Sequence, residues 1–157
     1  MREIEFRAKQ IENNEWVHGD LLTPKGLCVD YEISDLNSID GSRVEINKKT
    51  IGQFTGLLDK NLNKIFVGDI VKFNNQIGEI VFELGSFGIE IKEGLNYKRL
   101  EKFINDCLNN SFSGIFNDNF IPLMEIYWNL DNTDNFIDEI EIIGNIHDNP
   151  ELLEVQP

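Results

Sequence analysis

The chain has 157 residues, 41% of them hydrophobic, with eleven Phe and a formal net charge of −14. That length fits one domain or two small subdomains, and the apolar content builds a core without disulfides or structural metal. The charge repels nucleic-acid backbones and anionic membranes and favours basic protein surfaces, so a basic groove for DNA or RNA is excluded.

The first segment, Glu3 to Ala8, alternates: Ile4, Phe6 and Ala8 on one side, Glu3, Glu5 and Arg7 on the other. This is the pattern of a half-buried strand, and its charges exclude the apolar stretch of a signal peptide. Asn13-Asn14 marks a turn, and Trp16 to Leu22 reads as the returning strand, with Gly19 permitting a bulge. Pro24-Lys25-Gly26 breaks the chain before a third strand from Leu27 to Ile33. A polar loop covers residues 34–42, and Arg43 to Asn47 pairs back as a short strand.

The middle reads as a meander. Gln53 to Leu57 is extended, and Asp59-Lys60-Asn61 has the short polar side chains of a turn. Val67-Gly68-Asp69 makes a tight corner in which Asp69 bonds nearby amides. Three strands follow, Ile70 to Phe73, Gly78 to Leu84 and Phe87 to Ile91, with turns at Asn74-Asn75 and Gly85-Ser86. Such closely spaced short strands predict a small SH3-like barrel.

Leu100, Phe103, Ile104, Cys107 and Leu108 fall on one face of a helix, so an amphipathic helix is expected near residues 97–110. Ile121 to Trp128 reads as a strand, residues 130–135 as a loop, and Ile137 to Ile146 as a final strand stopped by Asn149-Pro150. The fold expected is mainly β with a minor α contribution. It comprises an N-terminal β-hairpin subdomain over 1–50 and an SH3-like subdomain over 51–157, with a helical, acidic insertion at about 95–135.

Little in this chain points to catalysis. Cys28 and Cys107 form no CxxC pair or Cys/His cluster and read as reduced thiols of a cytoplasmic protein. His18 and His147 read as packed or surface residues, and the spacing of Cys28 and His18 does not support a dyad. No glycine-rich phosphate loop is present. Asp134, Asp138, Glu139 and Glu141 have the oxygen donors a divalent cation needs, but lack the order of a calcium loop, and a solvated acidic face is the better reading. Phe54, Phe66, Phe73, Phe82 and Phe87 supply aromatics, yet strand alternation buries most of them and basic neighbours are few.

The charge is unevenly spread. Residues 1–102 carry all 14 Lys and Arg against 17 acids, whereas residues 103–157 carry 11 acids and no Lys or Arg. A partner-binding acidic face is therefore expected at Asp131, Asp134, Asp138 and Glu139.

Three blocks resemble the YopX-like proteins of phages and prophages. They are Arg2 to Lys9 with Asn14 to Leu22, then Thr50-Ile51-Gly52-Gln53-Phe54-Thr55-Gly56 through Ile70-Val71, and Ile140 to Leu153 with its Ile143-Gly144-Asn145-Ile146-His147-Asp148-Asn149-Pro150 run. With their flanking strands they cover about two-thirds of the chain. His18 and His147 stand where the family pattern suggests tyrosine, and the stretch around 95–135 is longer and more acidic than usual. The resemblance implies a mainly β fold with an SH3-like part, a phage or prophage gene, and no assigned enzymatic residues.

The expectation is a non-enzymatic accessory protein of the bacterial cytoplasm, without cofactor or metal, acting by protein–protein contact or as a homo-oligomer. Its partners would be basic host or phage proteins, not nucleic acid or membrane. An acidic DNA mimic that binds a basic host protein is the first alternative, and a metal-dependent enzyme the second.

Overall fold

The computed structural model describes residues 3–23, 30–35, 42–92, 119–129, 137 and 139–154. It contains two compact units, Met1–Gly56 and Leu57–Pro157. Both are built from antiparallel strands, so the chain is mainly β, as expected.

In the first unit, β1 (Phe6–Lys9), β2 (Trp16–Leu22), β3 (Glu32–Asp35) and β4 (Arg43–Glu45) stand in the order β4-β3-β2-β1. The start of β5 (Gly52–Leu58) pairs with the other edge of β1 through Phe6↔Gln53 and Arg7↔Gly52. Alternation sends Ala8, Val17 and Ile33 into a small core with Ile46. Past β4 the chain comes back to β1: Ile11 N–H donates to Glu45 O at 3.1 Å and Asn47 N–H to Lys9 O at 2.8 Å. The sheet of this unit therefore curls upon itself at one end. A 3-10 turn, Lys48–Thr50, follows, capped by the Asn47 side chain accepting from Lys49 N–H.

Gly19 holds no bulge. It pairs in register opposite Phe6, and a Cβ there would fall 1.8 Å from the Ser34 carbonyl oxygen, so glycine is needed for clearance between β2 and β3. Among the described residues, a register shift of β11 against β7 lies between Ile142 and Gly144.

The second unit contains β6 (Lys64–Phe66), β7 (Asp69–Phe73), β8 (Gln76–Glu83), β9 (Ser86–Glu90), β10 (Phe120–Pro122), α1 (Leu123–Asn129) and β11 (Ile140–Asn145). Five of its strands form a sheet in the order β10-β9-β8-β7-β11. That order ends on two different strands, so among the described residues this sheet is open and does not close as the SH3-like barrel expected. Its core is large, with Phe73, Ile80, Ile89, Ile121 and Ile126 all at 0% exposure. The β7–β8 hairpin turns at Asn74-Asn75, with φ of 46° and 61°, which matches the twist of the flanking strands. The next hairpin turns on Leu84-Gly85, one residue earlier than expected.

The strand expected over Ile121 to Trp128 is also corrected: only Phe120–Pro122 is strand, and Leu123–Asn129 is helix. Pro122 cannot donate to a continued ladder, and it stands just ahead of the first helical residue. Leu123 and Ile126 turn inward, while Met124 and Trp128, one turn apart, face out. The helix expected near 97–110, and both cysteines, lie outside the described residues.

Candidate functional site

Of the four acidic residues expected to meet a partner, Asp131, Asp134 and Asp138 lie outside the described residues. Glu139 is half-buried in the turn that enters β11. Its neighbour Glu141 accepts a hydrogen bond from Lys60 Nζ at 2.7 Å, so one carboxylate of this strand is already neutralised.

Asp59 and Asp69, both buried in the second unit, serve the backbone. Asp59 is wholly buried; its Oδ1 accepts from Asn61 N–H and Asn63 N–H, at 2.9 and 2.8 Å. Its Oδ2 accepts from Ile142 N–H at 3.1 Å and from the Asn63 side chain at 3.3 Å. One carboxylate thus shapes the turn and pins β11 to it. Asp69 Oδ2 accepts from Phe66 N–H at 2.8 Å across the corner at Gly68, whose φ is 85°. Sequence reasoning identifies both turns, but not the reach of Asp59 to a strand some eighty residues later.

A charged cluster was not anticipated from sequence. On the first unit, β1 and β2 bring Glu5 Oε1 and His18 Nδ1 to 3.1 Å, with Glu5 only 4% exposed. Along the same face the Arg7 guanidinium lies 4.8 Å from the Trp16 ring centroid, and Lys9 Nζ lies 5.5 Å from it. The available signal was the alternation itself, which puts Glu5, Arg7 and Lys9 on one side of β1 and sets them against Trp16 and His18 of β2. A carboxylate that orients an imidazole is one part of acid–base machinery. The surrounding cation–π contacts are structural, holding long cationic chains against a ring.

Glu79 on β8 stands directly opposite Glu90 on β9. Burial pushes its carboxyl above the usual range; Lys92 offsets this in part, and Glu90 adds to it. Elsewhere on the second unit, large apolar side chains face solvent. Phe82 and Leu84 do so at the β8–β9 hairpin, at 56% and 75% exposure, and Met124 and Trp128 on α1, at 45% and 70%. The Phe82 and Phe87 rings meet edge to face at 4.9 Å.

Among the described residues no group of three His, Cys, Asp or Glu is arranged to hold a metal ion, and no helix is long and apolar enough to cross a membrane.

No curated protein sequence matches the chain. Two crystal structures are similar to it over nearly their whole length. Protein EF1440 from Enterococcus faecalis has a TM-score of 0.50 at 22% identity, over 98% of this chain and 100% of that one. Protein yopX from Bacillus subtilis has a TM-score of 0.49 at 12% identity, over 98% of each. At that identity the EF1440 likeness speaks for the fold alone. The YopX protein family matches the sequence itself, across residues 5–154, and takes in residues of both units and every strand described above. The chain belongs to the YopX family.

Proposed function

We propose that the protein is a non-enzymatic accessory protein of a phage or prophage that works through protein–protein contact or self-assembly. The observation that carries this reading is the set of solvent-facing apolar side chains of the second unit: Trp128 and Met124 on one side of α1, and Phe82 and Leu84 at the β8–β9 hairpin. Trp is prominent among residues that dominate binding energy, and exposed apolar side chains gain most when a partner removes them from water. The buried carboxylates Asp59 and Asp69, by contrast, are spent on backbone amides. The family resemblance supports the phage setting.

Capture of the tagged full chain from nuclease-treated host lysate, together with sedimentation velocity on the purified chain, tests the reading. A stoichiometric partner or a defined oligomer that persists at high salt and is lost in Trp128→Ser or Leu84→Ser is the expected result. A monomer with no such partner, or an association that both variants retain, would remove the support these residues give.

The charge distribution favours a second reading, an acidic mimic of DNA that occupies a basic host protein: 11 acids and no Lys or Arg follow residue 102. Binding would then weaken steeply with salt and fall when Asp131, Asp134, Asp138 and Glu139 are neutralised. A salt-insensitive partner that tolerates those changes argues against the mimic.

A further inference from the structure

The first unit has a cleft of about 400 Å³ where the curled sheet brings the end of β4 back to the end of β1. Ile46, 3% exposed, lines it between two other segments of chain. Its N–H donates to the O of half-buried Tyr31 at 2.9 Å on one side, and it pairs with Gln10 on the other. The ladder fixes where the rest of the lining falls. Glu32 stands opposite Glu45 and Tyr31 opposite Ile46, so Asp30 comes next, across from Asn47, whose N–H bonds Lys9 O. Asp30 and Lys48 therefore lie toward the Asn47 end of the cleft. Ile11, 61% exposed, bonds Glu45 O through its N–H and lies toward the opposite end. Asp30 and Lys48 are both exposed, and among the described residues neither forms an ion pair, with the other or with a third group. Asn47 spends its Oδ1 on the Lys49 amide and keeps its NH2 donors at the same end.

We propose that this cleft binds a free α-amino acid with an apolar side chain. The ligand's ammonium faces Asp30, its carboxylate faces Lys48 and the Asn47 amide, and its side chain lies over Tyr31, Ile46 and Ile11. One acid and one base in the lining complement a ligand that carries both charges and no net charge. A nucleotide or other anion would meet a single cation there, with a carboxylate beside it in opposition. Because Asp30 and Lys48 are not paired with each other, no ion pair has to break for the ligand to enter. The placement of the two charges narrows the class further. Both lie toward one end, and the apolar residues lead away from them. An α-amino acid has the same layout, with ammonium and carboxylate on one carbon and the side chain extending from it. An ω-amino acid separates its charges and would leave one of them against apolar side chains, which costs its hydration. A partly apolar wall with a few polar groups to fix orientation is also how small-molecule sites are commonly made. The inference does not depend on the contact reading and uses a different surface from Trp128 and Leu84.

The probes are leucine, isoleucine, methionine and phenylalanine, each titrated at millimolar concentration into the isotope-labelled full chain and followed by amide NMR shifts. At least one should shift the amides of Ile11, Asn47 and Lys48 and leave those of Leu84 and Trp128 where they are. Its N-acetyl and carboxamide derivatives each lack one charge and should bind about tenfold more weakly. Aminohexanoate, an ω-amino acid, should leave the cleft amides unshifted. Asp30→Asn should weaken the free amino acid by the same factor and leave the N-acetyl form, which has no ammonium to lose, unaffected. Lys48→Gln should do the same with the carboxamide form. Loss of folding cannot imitate those two pairings. The inference is overturned if none of these amino acids shifts the cleft amides, or if the derivatives or aminohexanoate bind as well as the free form. Shifts produced only by longer peptides with the same side chains would assign the cleft to a protein partner and overturn it too. In either case the contact reading through Trp128 and Leu84 stands or falls on its own test.

Discussion

The two units differ in what their buried volume is made of. Among the described residues, the second packs twelve buried apolar residues, from Leu57 to Ile140, into one cluster, and uses wholly buried Asp59 to tie a turn to a strand. The corresponding cluster of the first has four of the described residues, Ala8, Val17, Ile33 and Ile46, beside a face that buries Glu5 and Lys9 against His18 and Trp16. Apolar burial is the main favourable term in folding, whereas a buried charge gains little net stability once its desolvation is counted. Among the described residues the second unit therefore has the larger apolar driving force, and it is expected to be the more stable of the two. The first holds its shape by register, by Gly19 clearance and by the bonds that return residues 45–47 to β1.

That contrast breaks most readily at the centre of the larger core. Phe73 is 0% exposed on β7, the strand between β8 and β11. Phe73→Ala should cost about 4 kcal/mol, since the lost transfer energy is compounded by a cavity. Val17→Ala in the smaller core should cost about 2 kcal/mol, from fewer methyl groups and fewer buried neighbours. Chemical denaturation of both variants gives the comparison directly, and a larger loss in Val17→Ala would invert the ranking of the units.

Asp59→Ala comes next, at about 3 kcal/mol, because it leaves several buried N–H groups without their acceptor. Hydrogen exchange should show the Asn61, Asn63 and Ile142 amides losing protection first. Uniform loss across the second unit would mean that Asp59 contributes packing and not the tie. In the first unit, Gly19→Ala should cost about 2 kcal/mol, because β2 must move off the Ser34 carbonyl. Its signature is faster exchange along β2 and β3 with the second unit untouched; an unchanged β2–β3 pairing would show that the sheet absorbs the methyl.

How much of this was legible in the sequence follows the range of each interaction. The strands β1, β2, β7, β8 and β9 stand near where alternation puts them, since burial of one face is a local pattern. The Asn74-Asn75 turn is local chemistry too. The failures are of longer range or finer phase. Residues 123–129 carry both short and long spacings of apolar residues, and only Pro122 with the 3.6-residue period separates helix from strand. Gly19 reads as a bulge in isolation; the need for it comes from Ser34, on a different strand. The Glu5–His18 pair and the return of residues 45–47 to β1 depend on register between segments, which no single segment encodes. The acidic residues 131, 134 and 138 lie outside the described structure, so that reading rests on charge alone.

The smallest expected effect tests a local conflict within the second unit. Glu79 and Glu90 face each other across β8 and β9, a pairing of like charges that destabilises a sheet. Burial, with Glu90 adding and Lys92 offsetting, raises the Glu79 carboxyl above its ordinary value of 4.5. The folded chain therefore holds this proton over a range of pH in which the unfolded chain has released it. Stability from Glu79 is whole below the unfolded value and is lost as pH rises through the folded one. At neutral pH the charged side chain costs stability, and Glu79→Gln should recover at most about 0.5 kcal/mol, since solvent screens a half-exposed group. Between pH 4 and 7 the difference between native chain and variant should grow as pH rises, in the window just above 4.5. A difference that shrinks as pH rises would mean that Lys92 outweighs burial, making this pair a stabilising ion contact instead of a cost carried by the larger core.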